Sequence, residues 1–478
     1  MRQNNMFEQY NRAFEDMKAG MADIDDSNLS KLHNLVEEHL PPKTMERKVY
    51  GEVFTPLALV KEMLEAIVKY ADKDFWKNPN LKILDPAAGI GNFPLIAFEK
   101  LMDGLKEAIP SRKKRKRHIL EKMLYMVELN ANNVRLMKKI FNAKEYKLNI
   151  IRGDFLAAKT QAALAGRLGM KEPKFDLVMG NPPFQGVQEA EGKRGGGDQI
   201  WDDFVKVCIA MLGKGGVMTF IHPSGWRKPE SSKSKYKGMF QSMTRTCQMH
   251  YLEIHDKEDG VKTFQSGTRY DWYVLSHRTP TQKTVVRDEK GVLSNQPLLK
   301  MDWLPNYNFA NVFKLVALPG EKTCKVIYSG AAYETRKPWV KDDKWVAQHD
   351  KNKAFKKVLI HTTPKGGVTY RWTNDLSKDK EHNVPMFGVT KVIFGDSGIH
   401  HPIEDGNGTY GMTQHAMAIV CKKEDTLPIA TYLTTHEFKQ IIDSCQWSNF
   451  QTDWRLFAAF KERFWEVKLT NKSRDASG

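Results

Sequence analysis

Residues 81–94 read LKILDPAAGIGNFP, and the rest of the fold can be worked out from them. The apolar run 81–84 predicts a strand, the small residues 87–91 predict a tight loop, and a helix is expected to follow. Loops of this kind turn beneath a ligand at the carboxyl end of a strand, where doubly wound folds bind nucleotides. A dinucleotide site would have a third glycine three positions after Gly91, but that position is Pro94. The loop therefore predicts a nucleotide-like ligand and weighs against a dinucleotide.

Short apolar runs alternate with amphipathic helices after this loop, which is typical of a parallel sheet covered on both faces. The last two runs have no long helical pattern between them and are candidates for an antiparallel edge. The predicted fold class is α/β, with a Rossmann-like, doubly wound, seven-stranded sheet that ends near residue 279. The seven strands are expected near residues 81–84, 124–127, 149–151, 175–179, 217–221, 249–254 and 270–276.

Acidic residues follow the second and third of these strands. Glu128 ends the second strand, where a carboxylate can accept hydrogen bonds from both ribose hydroxyls of an adenosine ligand. Taken alone, Glu128 is equally well explained as an acid at the positive end of a helix dipole. Asp154 follows the third strand and is suited to accept from an adenine amino group, with Phe155 against the ring. These positions favour an adenosine-containing ligand.

Residues 176–184 read DLVMGNPPF, so a buried strand ends directly in Asn-Pro-Pro-Phe. An exocyclic amine on a purine is a poor nucleophile because its lone pair is delocalised into the ring. The Asn181 side-chain oxygen and the Pro182 carbonyl can each accept one hydrogen of such an amine and aim its lone pair. Pro182 and Pro183 add no competing N–H, and Phe184 offers a flat face for a base. A base inside a duplex must be flipped out to reach this motif.

The ordered set of motifs resembles the adenine-N6 DNA methyltransferases of restriction-modification systems, in the arrangement that places the target-recognition domain after the catalytic domain. The resemblance covers about residues 50–280. It implies a class I methyltransferase fold that transfers a methyl group from S-adenosyl-L-methionine to N6 of a flipped-out adenine in double-stranded DNA. Such an enzyme would act within a restriction-modification system or as an orphan or viral methylase. A cognate restriction endonuclease is then an expected partner.

The resemblance also assigns roles to individual residues. The catalytic residues it implies are Asn181, Pro182, Pro183 and Phe184. The cofactor-binding residues it implies are Phe54, Thr55, Pro56, Asp85, Ala87, Gly89, Gly91, Asn92, Glu128, Asp154, Phe155 and Asn181. One departure is the distance from Asp85 to Glu128, which is longer than the family's usual spacing. We attribute the extra length to an insertion that carries the basic run 112–117.

The length of 478 residues predicts more than one domain. We expect an N-terminal helical accessory segment at 1–48, a methyltransferase domain at 49–280 and a DNA target-recognition domain of mixed α/β character at 281–478. Thr55 is expected to cap the helix that starts at Pro56. A final helix is expected over 453–465, where an aromatic core stripe is the better interpretation than a base-stacking platform.

Two polar segments lie inside the expected methyltransferase domain. The basic run 112–117 is most simply a solvated loop, although contact with DNA phosphates or a nuclear address are alternatives. The glycine-rich segment 185–199 follows the Asn-Pro-Pro-Phe motif directly. We expect it to be a mobile loop that becomes ordered over DNA.

The composition narrows the choice of partners. The formal net charge is +17, which suits a polyanionic partner such as nucleic acid without identifying it. The sequence has no apolar stretch long enough to span a bilayer and no secretory signal pattern. We therefore expect no membrane association, a cytoplasmic location near DNA, and a nuclear one only in a eukaryotic host. The five dispersed cysteines form no metal-binding pattern and are expected to be reduced and mostly buried.

Four other functions compete with DNA adenine methylation. An RNA adenine methyltransferase would use the same four residues, and the long C-terminal region favours duplex DNA instead. A protein glutamine methyltransferase usually has Tyr after the two prolines, and the positive charge also opposes it. An inactive specificity module is opposed by the intact motifs. A fused nuclease is opposed by the roughly 50 residues before the first motif, too few for such a domain.

Overall fold

In the computed structural model of the protein, the described residues are 54–186, 199–231, 234–328, 333, 346–347, 356–363, 367–374, 376, 379, 385–447 and 451–470. They form two compact units. The first unit contains the described part of Met1–Ser224 together with Gly238–Met301, and the second contains the described parts of Gly225–Lys237 and Asp302–Gly478. Residues 281–301 therefore lie in the first unit, and residues 225–237 in the second. The expected accessory segment 1–48 lies outside the described residues.

The first unit is built on one sheet, with strand order β3-β2-β1-β4-β5-β7-β6-β8-β9. All seven predicted strands are present, and β6 and β7 pair antiparallel. The predicted number of seven was wrong, because β8 pairs with β6 and β9 with β8, which extends the sheet to nine strands. The strands are β1 Ile83–Asp85, β2 Leu124–Glu128, β3 Asn149–Arg152, β4 Phe175–Gly180, β5 Leu212–Pro223, β6 Gln248–His255, β7 Tyr270–Ser276, β8 Thr284–Arg287 and β9 Leu293–Gln296.

Helices connect most of the consecutive strands of this sheet. Val60, Met63 and Leu64 of α1 are fully buried, because the apolar positions of that helix repeat on one face. None of the helices in the described part of the chain has the length and hydropathy that crossing a bilayer requires. The helices of this unit are α1 Leu57–Ala66, α2 Asn92–Gly104, α3 Arg112–His118, α4 Ala131–Ile140, α5 Ala158–Leu168, α6 Trp201–Ala210, α7 Met239–Gln241 and α8 Lys257–Phe264.

The basic run 112–117 was expected to be a loop, and that prediction was wrong. It forms α3, whose first turn is capped by the Ser111 hydroxyl, 3.4 Å from the Lys114 N–H. Arg115 is buried and donates to the carbonyl oxygens of Ile109 and Pro110 at 2.7 and 3.2 Å. These carbonyl partners offset part of the cost of burying the Arg115 guanidinium within the helix.

The second unit contains two four-stranded sheets, with strand orders β10-β17-β14-β15 and β11-β13-β12-β16. The mixed α/β character expected for the C-terminal region is confirmed. Its strands are β10 Val326–Tyr328, β11 Val346–Ala347, β12 Lys357–Thr362, β13 Val368–Thr373, β14 Lys391–Gly395, β15 Gly398–Asp405, β16 Tyr410–Met412 and β17 Ala416–Val420. Its helices are α9 Phe309–Leu315, α10 Thr426–Leu433, α11 His436–Ser444 and α12 Trp454–Ala458.

The last helix is shorter than the predicted span of 453–465. It ends at Ala458, and a separate 3₁₀ turn covers Phe464–Glu466. Phe457, Phe460 and Phe464 are fully buried in one aromatic cluster that includes Phe438. The interpretation of these aromatic residues as a core stripe is confirmed.

Candidate active site

A cavity of about 330 Å³ opens at the carboxyl ends of β1, β2 and β4. These strands are parallel neighbours, so the loops that follow them meet at one edge of the sheet. Ten residues expected to bind cofactor or act in catalysis line the cavity: Phe54, Thr55, Ala87, Gly89, Asn92, Glu128, Asp154, Phe155, Asn181 and Pro183. Five others lie outside its lining: Pro56, Asp85, Gly91, Pro182 and Phe184. Motifs far apart in the sequence therefore share one pocket.

The glycine loop lines the cavity at Gly89, where the backbone has φ +55°. A side chain there would be strained, and its Cβ would lie 3.4 Å from the Phe54 ring, which lines the same cavity. Gly91 faces the core instead, since a Cβ added to it would lie 3.0 Å from the Phe141 ring. Gly89 thus gives a ligand access to the backbone, whereas Gly91 serves the packing.

Asp85 does not line the cavity but hydrogen-bonds to the glycine loop beside it. It is 1% exposed, and its carboxylate accepts from the Ala87 N–H at 3.1 Å. Burial raises the pKa of Asp85 well above its usual range, with nearby Glu128 adding to the shift. Gly180 at the end of β4 lies so close that an added Cβ would be 3.0 Å from Asp85 Oδ1. Asp85 therefore hydrogen-bonds to the glycine loop and packs against the end of the strand that precedes the Asn-Pro-Pro-Phe motif.

Glu128 is held at the mouth of the cavity by two backbone donors. Its Oε2 accepts from the Gly89 N–H at 2.8 Å, and its Oε1 accepts from the Asn130 N–H at 2.6 Å. Within the cavity lining, both carboxylate oxygens are therefore oriented by backbone donors. The long spacing from Asp85 leaves the position of Glu128 intact, because α2 and α3 take up the added length.

Thr55 was expected to cap α1, but its hydroxyl does not do so. The helix begins at Leu57 with Pro56 at the cap position and no side-chain cap. The Thr55 hydroxyl is buried and makes no hydrogen bond to any residue in the described part of the chain. The Asn92 side-chain amide donates to the Thr55 carbonyl at 2.8 Å and holds this residue in the cavity wall. A buried, unpartnered hydroxyl in a cavity wall is a natural contact for a polar ligand.

The Asn-Pro-Pro-Phe motif follows β4 directly, as predicted. Asn181 and Pro183 line the cavity, whereas the side chains of Pro182 and Phe184 lie outside its lining. The Phe184 carbonyl accepts from the Ile200 N–H at 3.3 Å, and a single bridge joins Gln185 to Gln199. These contacts close the base of the glycine-rich segment, whose residues 187–198 lie outside the described residues.

The apolar wall of the cavity was missed by the sequence analysis. Leu129 lines it and is 43% exposed, so its side chain is accessible to a ligand. Phe155 was expected to face an adenine ring, but it is only 2% exposed and stacks on Phe204, with ring centroids 5.2 Å apart. The remaining lining residues, to which the sequence assigned no individual role, are Pro86, Ala88, Phe93, Gly153, Leu156, Gln185, Gly186, Ile200 and Phe204. Their proximity to known motifs was the available signal for most of them.

Comparison with known proteins connects this cavity to a family. Residues 80–261 match the model of the family described as Eco57I restriction-modification methylase. Over this segment the chain is similar to that family. The match includes the glycine loop, Glu128, Asp154 and the Asn-Pro-Pro-Phe motif, and therefore most of the cavity lining. Residues 80–261 also contain all of strands β1 to β6.

Two curated relatives resemble parts of the chain. An uncharacterized adenine-specific methylase of Mycoplasma pneumoniae is 38% identical over 78 residues, which cover 16% of this chain and 18% of the relative. The modification methylase CviBIII of Paramecium bursaria Chlorella virus NC1A is 24% identical over 250 residues, which cover 51% of this chain and 55% of the relative. The chain thus spans about half or less of the length of these two relatives.

A solved structure resembles both units of the chain. It is a nuclease-deletion mutant of the Type ISP restriction-modification enzyme LlaGI in complex with a DNA substrate mimic. The TM-score is 0.54 at 12% sequence identity, and the match covers 93% of this chain and 56% of that chain. At this identity the likeness concerns the fold alone.

Proposed function

We propose that the protein transfers a methyl group from S-adenosyl-L-methionine to the N6 amine of an adenine flipped out of duplex DNA. The observation that carries the proposal is the presence of Asn181, Glu128 and Gly89 in the lining of one cavity. An adenosine-binding carboxylate and an amine-holding amide are the two halves that such a transfer needs. The family match over residues 80–261 and the adenine-specific methylase among the relatives support the same reaction.

The cavity fits S-adenosyl-L-methionine by its chemistry. Its volume of about 330 Å³ is at the lower end of the range of roughly 300–1,000 Å³ for small-molecule sites. We propose that Glu128 accepts from the ribose hydroxyls, that Leu129 and Leu156 contact the adenine ring, and that Asp154 accepts from its amino group. The unpartnered Thr55 hydroxyl would bind the methionine end, with Phe54 covering Gly89.

When bound, the cofactor supplies a methyl group made electrophilic by its sulfonium. The protein's own part is to free and aim the adenine amine. We propose that the Asn181 side-chain oxygen and the Pro182 carbonyl each accept one N6 hydrogen, so that the nitrogen lone pair faces the cavity. Neither Pro182 nor Pro183 has an N–H that would compete for the amine as a donor. Phe184 would stack on the extruded base, and base flipping gives access to the amine.

The second unit and the charge determine the proposed substrate. A net charge of +17 favours a polyanion, and the second unit provides surface beyond the methylase segment for sequence-specific reading. We therefore propose that the described part of Asp302–Gly478 recognises the target sequence and that the substrate is double-stranded DNA. One relative is the modification methylase CviBIII, which supports a role in restriction-modification with a cognate endonuclease as partner.

The test compares three classes of substrate. The full chain is incubated with methyl-labelled S-adenosyl-L-methionine and with plasmid DNA, total RNA or a mixture of proteins. We expect the label in DNA only, and nucleoside analysis should recover it as N6-methyldeoxyadenosine. Label that appears in RNA with none in DNA would favour the RNA alternative, and label in protein glutamine would favour the protein alternative.

A further inference from the structure

The helix α3 carries a concentrated positive charge that the cavity does not use. Residues 112–122 contain seven Lys and Arg side chains and a single acidic one, Glu121. The side chains of Arg112, Lys113 and Lys114 are exposed and make no hydrogen bond or ion pair with any residue that the structure describes. The outer surface of α3 is therefore strongly basic and lacks acidic partners for these three side chains.

The arrangement of these charges conflicts with the stability of the helix. Residues four apart on a helix are neighbours, and like charges at this spacing destabilise it. In α3, Arg112 lies beside Lys116 in this way, and Lys113 lies beside Arg117. Local rules of this kind are broken mostly at functional sites, where a partner or the rest of the fold compensates for the conflict. A row of phosphates along α3 would replace the repulsion by attraction.

Contacts on its inner side hold α3 in place despite the repulsion. His118 Nε2 lies 2.7 Å from the Pro79 carbonyl oxygen, and one π-helical turn joins α3 to β2. The Lys116 ammonium and the Arg117 guanidinium lie 5.2 and 5.4 Å from the centroid of the Tyr146 ring. The basic surface is thus preformed, so that binding a partner costs little ordering of the backbone.

These contacts also place α3 at the edge of the sheet opposite the cavity. Pro79 lies before β1, α3 lies before β2, and Tyr146 lies before β3. The cavity is lined by residues that follow the same strands, among them Gly89, Glu128 and Asp154. Because β1, β2 and β3 are parallel neighbours, their amino ends and carboxyl ends form two separate edges. Any DNA that contacts α3 is therefore remote from the adenine that enters the cavity.

We propose that α3 is a second DNA-binding surface, which contacts the phosphate backbone of duplex DNA away from the target adenine. The inference rests on the proposed function, since that function makes duplex DNA the polyanion available to this chain. Lys and Arg neutralise phosphates without reading the bases, so the contact is sensitive to salt and independent of sequence. It holds the enzyme on DNA and leaves the choice of the methylated sequence to other residues.

The test removes three charges with Arg112→Gln, Lys113→Gln and Lys114→Gln combined in one variant. Glutamine is a good helix former, so the variant should be at least as stable as the wild type in urea unfolding. Binding of the full chain to a duplex of random sequence is measured by fluorescence anisotropy at several salt concentrations. The slope of log affinity against log salt should become about 2–3 smaller in magnitude, since each phosphate contact contributes roughly 0.9. The methylated sequence should stay unchanged.

Two control variants separate the role of α3 from that of net charge and of side-chain shape. Lys73→Gln, Lys171→Gln and Lys283→Gln combined remove the same charge from exposed positions of the first unit outside α3, and should leave the salt slope unchanged. Arg112→Lys with Lys113→Arg keeps both charges on α3 and should bind DNA like the wild type.

The outcomes distinguish this inference from the proposed function. A salt slope that is unchanged in the α3 variant, or that falls equally in the control at residues 73, 171 and 283, would overturn this inference. Unchanged DNA binding would point to an acidic protein as the partner of α3 instead. A charge-conserving variant that binds as weakly as the glutamine variant would also overturn it. A wild type that binds DNA through α3 but methylates none would overturn the proposed function alone.

Discussion

The variant Gly89→Ala separates the ligand-binding role of the glycine loop from its folding role. The backbone at Gly89 has φ +55°, so an alanine there costs about 1 kcal/mol of folding free energy. Its Cβ would lie 3.4 Å from the Phe54 ring, an ordinary contact, so folding should suffer little more than this. The added methyl group would, however, sit beside the cavity. Overfilling a packed site costs about 1–3 kcal/mol, which corresponds to a roughly 5- to 150-fold loss in affinity for S-adenosyl-L-methionine.

Gly169→Ala is the matched control for this variant. Gly169 ends α5 with φ +68°, and its added Cβ would meet no atom within 4 Å. Both variants should lose about 1 kcal/mol in urea unfolding, since both place a side chain in the left-handed region. Only Gly89→Ala should bind the cofactor more weakly by isothermal titration calorimetry. Equal cofactor affinities in the two variants would refute the placement of the cofactor against this loop.

Two further predictions concern buried ionisable side chains. Lys391 and Asp405 form an almost completely buried ion pair at 2.5 Å, so Lys391→Met should lower the free energy of unfolding by about 3–5 kcal/mol. Adding Asp405→Asn should recover part of the loss, and an unaltered single variant would contradict the assignment. Burial lowers the pKa of His250 from the ordinary 6.5 to about 4, and the charge of Arg278 adds to this shift. As the pH falls from 7.5 to 5, the unfolded chain therefore binds a proton at His250 that the folded protein does not bind. Between pH 7.5 and pH 5 the free energy of unfolding should fall by about 2 kcal/mol less in His250→Gln than in the wild type, as measured by denaturation at both pH values. The same pH dependence in the two proteins would refute this prediction.

The strands and the motif positions of the first unit could be predicted because their signals are local. A buried parallel strand is a continuous apolar run, and the loops of Gly89, Glu128 and Asn181 each follow such a run directly. Parallel pairing then brings strand ends together without any further information. The grouping of these residues in one cavity follows from the topology, which the alternation of strands and helices had already indicated.

Other features depended on tertiary contacts that no local pattern encodes. The basic run became α3 because Arg115 finds carbonyl partners at 109 and 110, which its charge alone did not indicate. Strands β8 and β9 are short and partly polar, and β8 forms only because the edge of β6 is available. In the second unit, His361 Nδ1 lies 2.7 Å from Thr413 Oγ1 although 52 positions separate the two residues, a proximity that only the folded unit creates.

The central claim is that Asn181 holds the amine that is methylated, and the variant Asn181→Ala tests it most directly. Cofactor affinity and methyl transfer to DNA are measured on the same preparation, with Asn80→Ala, an exposed residue outside the cavity lining, as the control. Methyl transfer should fall at least about 100-fold in Asn181→Ala while cofactor affinity stays within about twofold of the wild type. Full methyl transfer by Asn181→Ala would contradict the account.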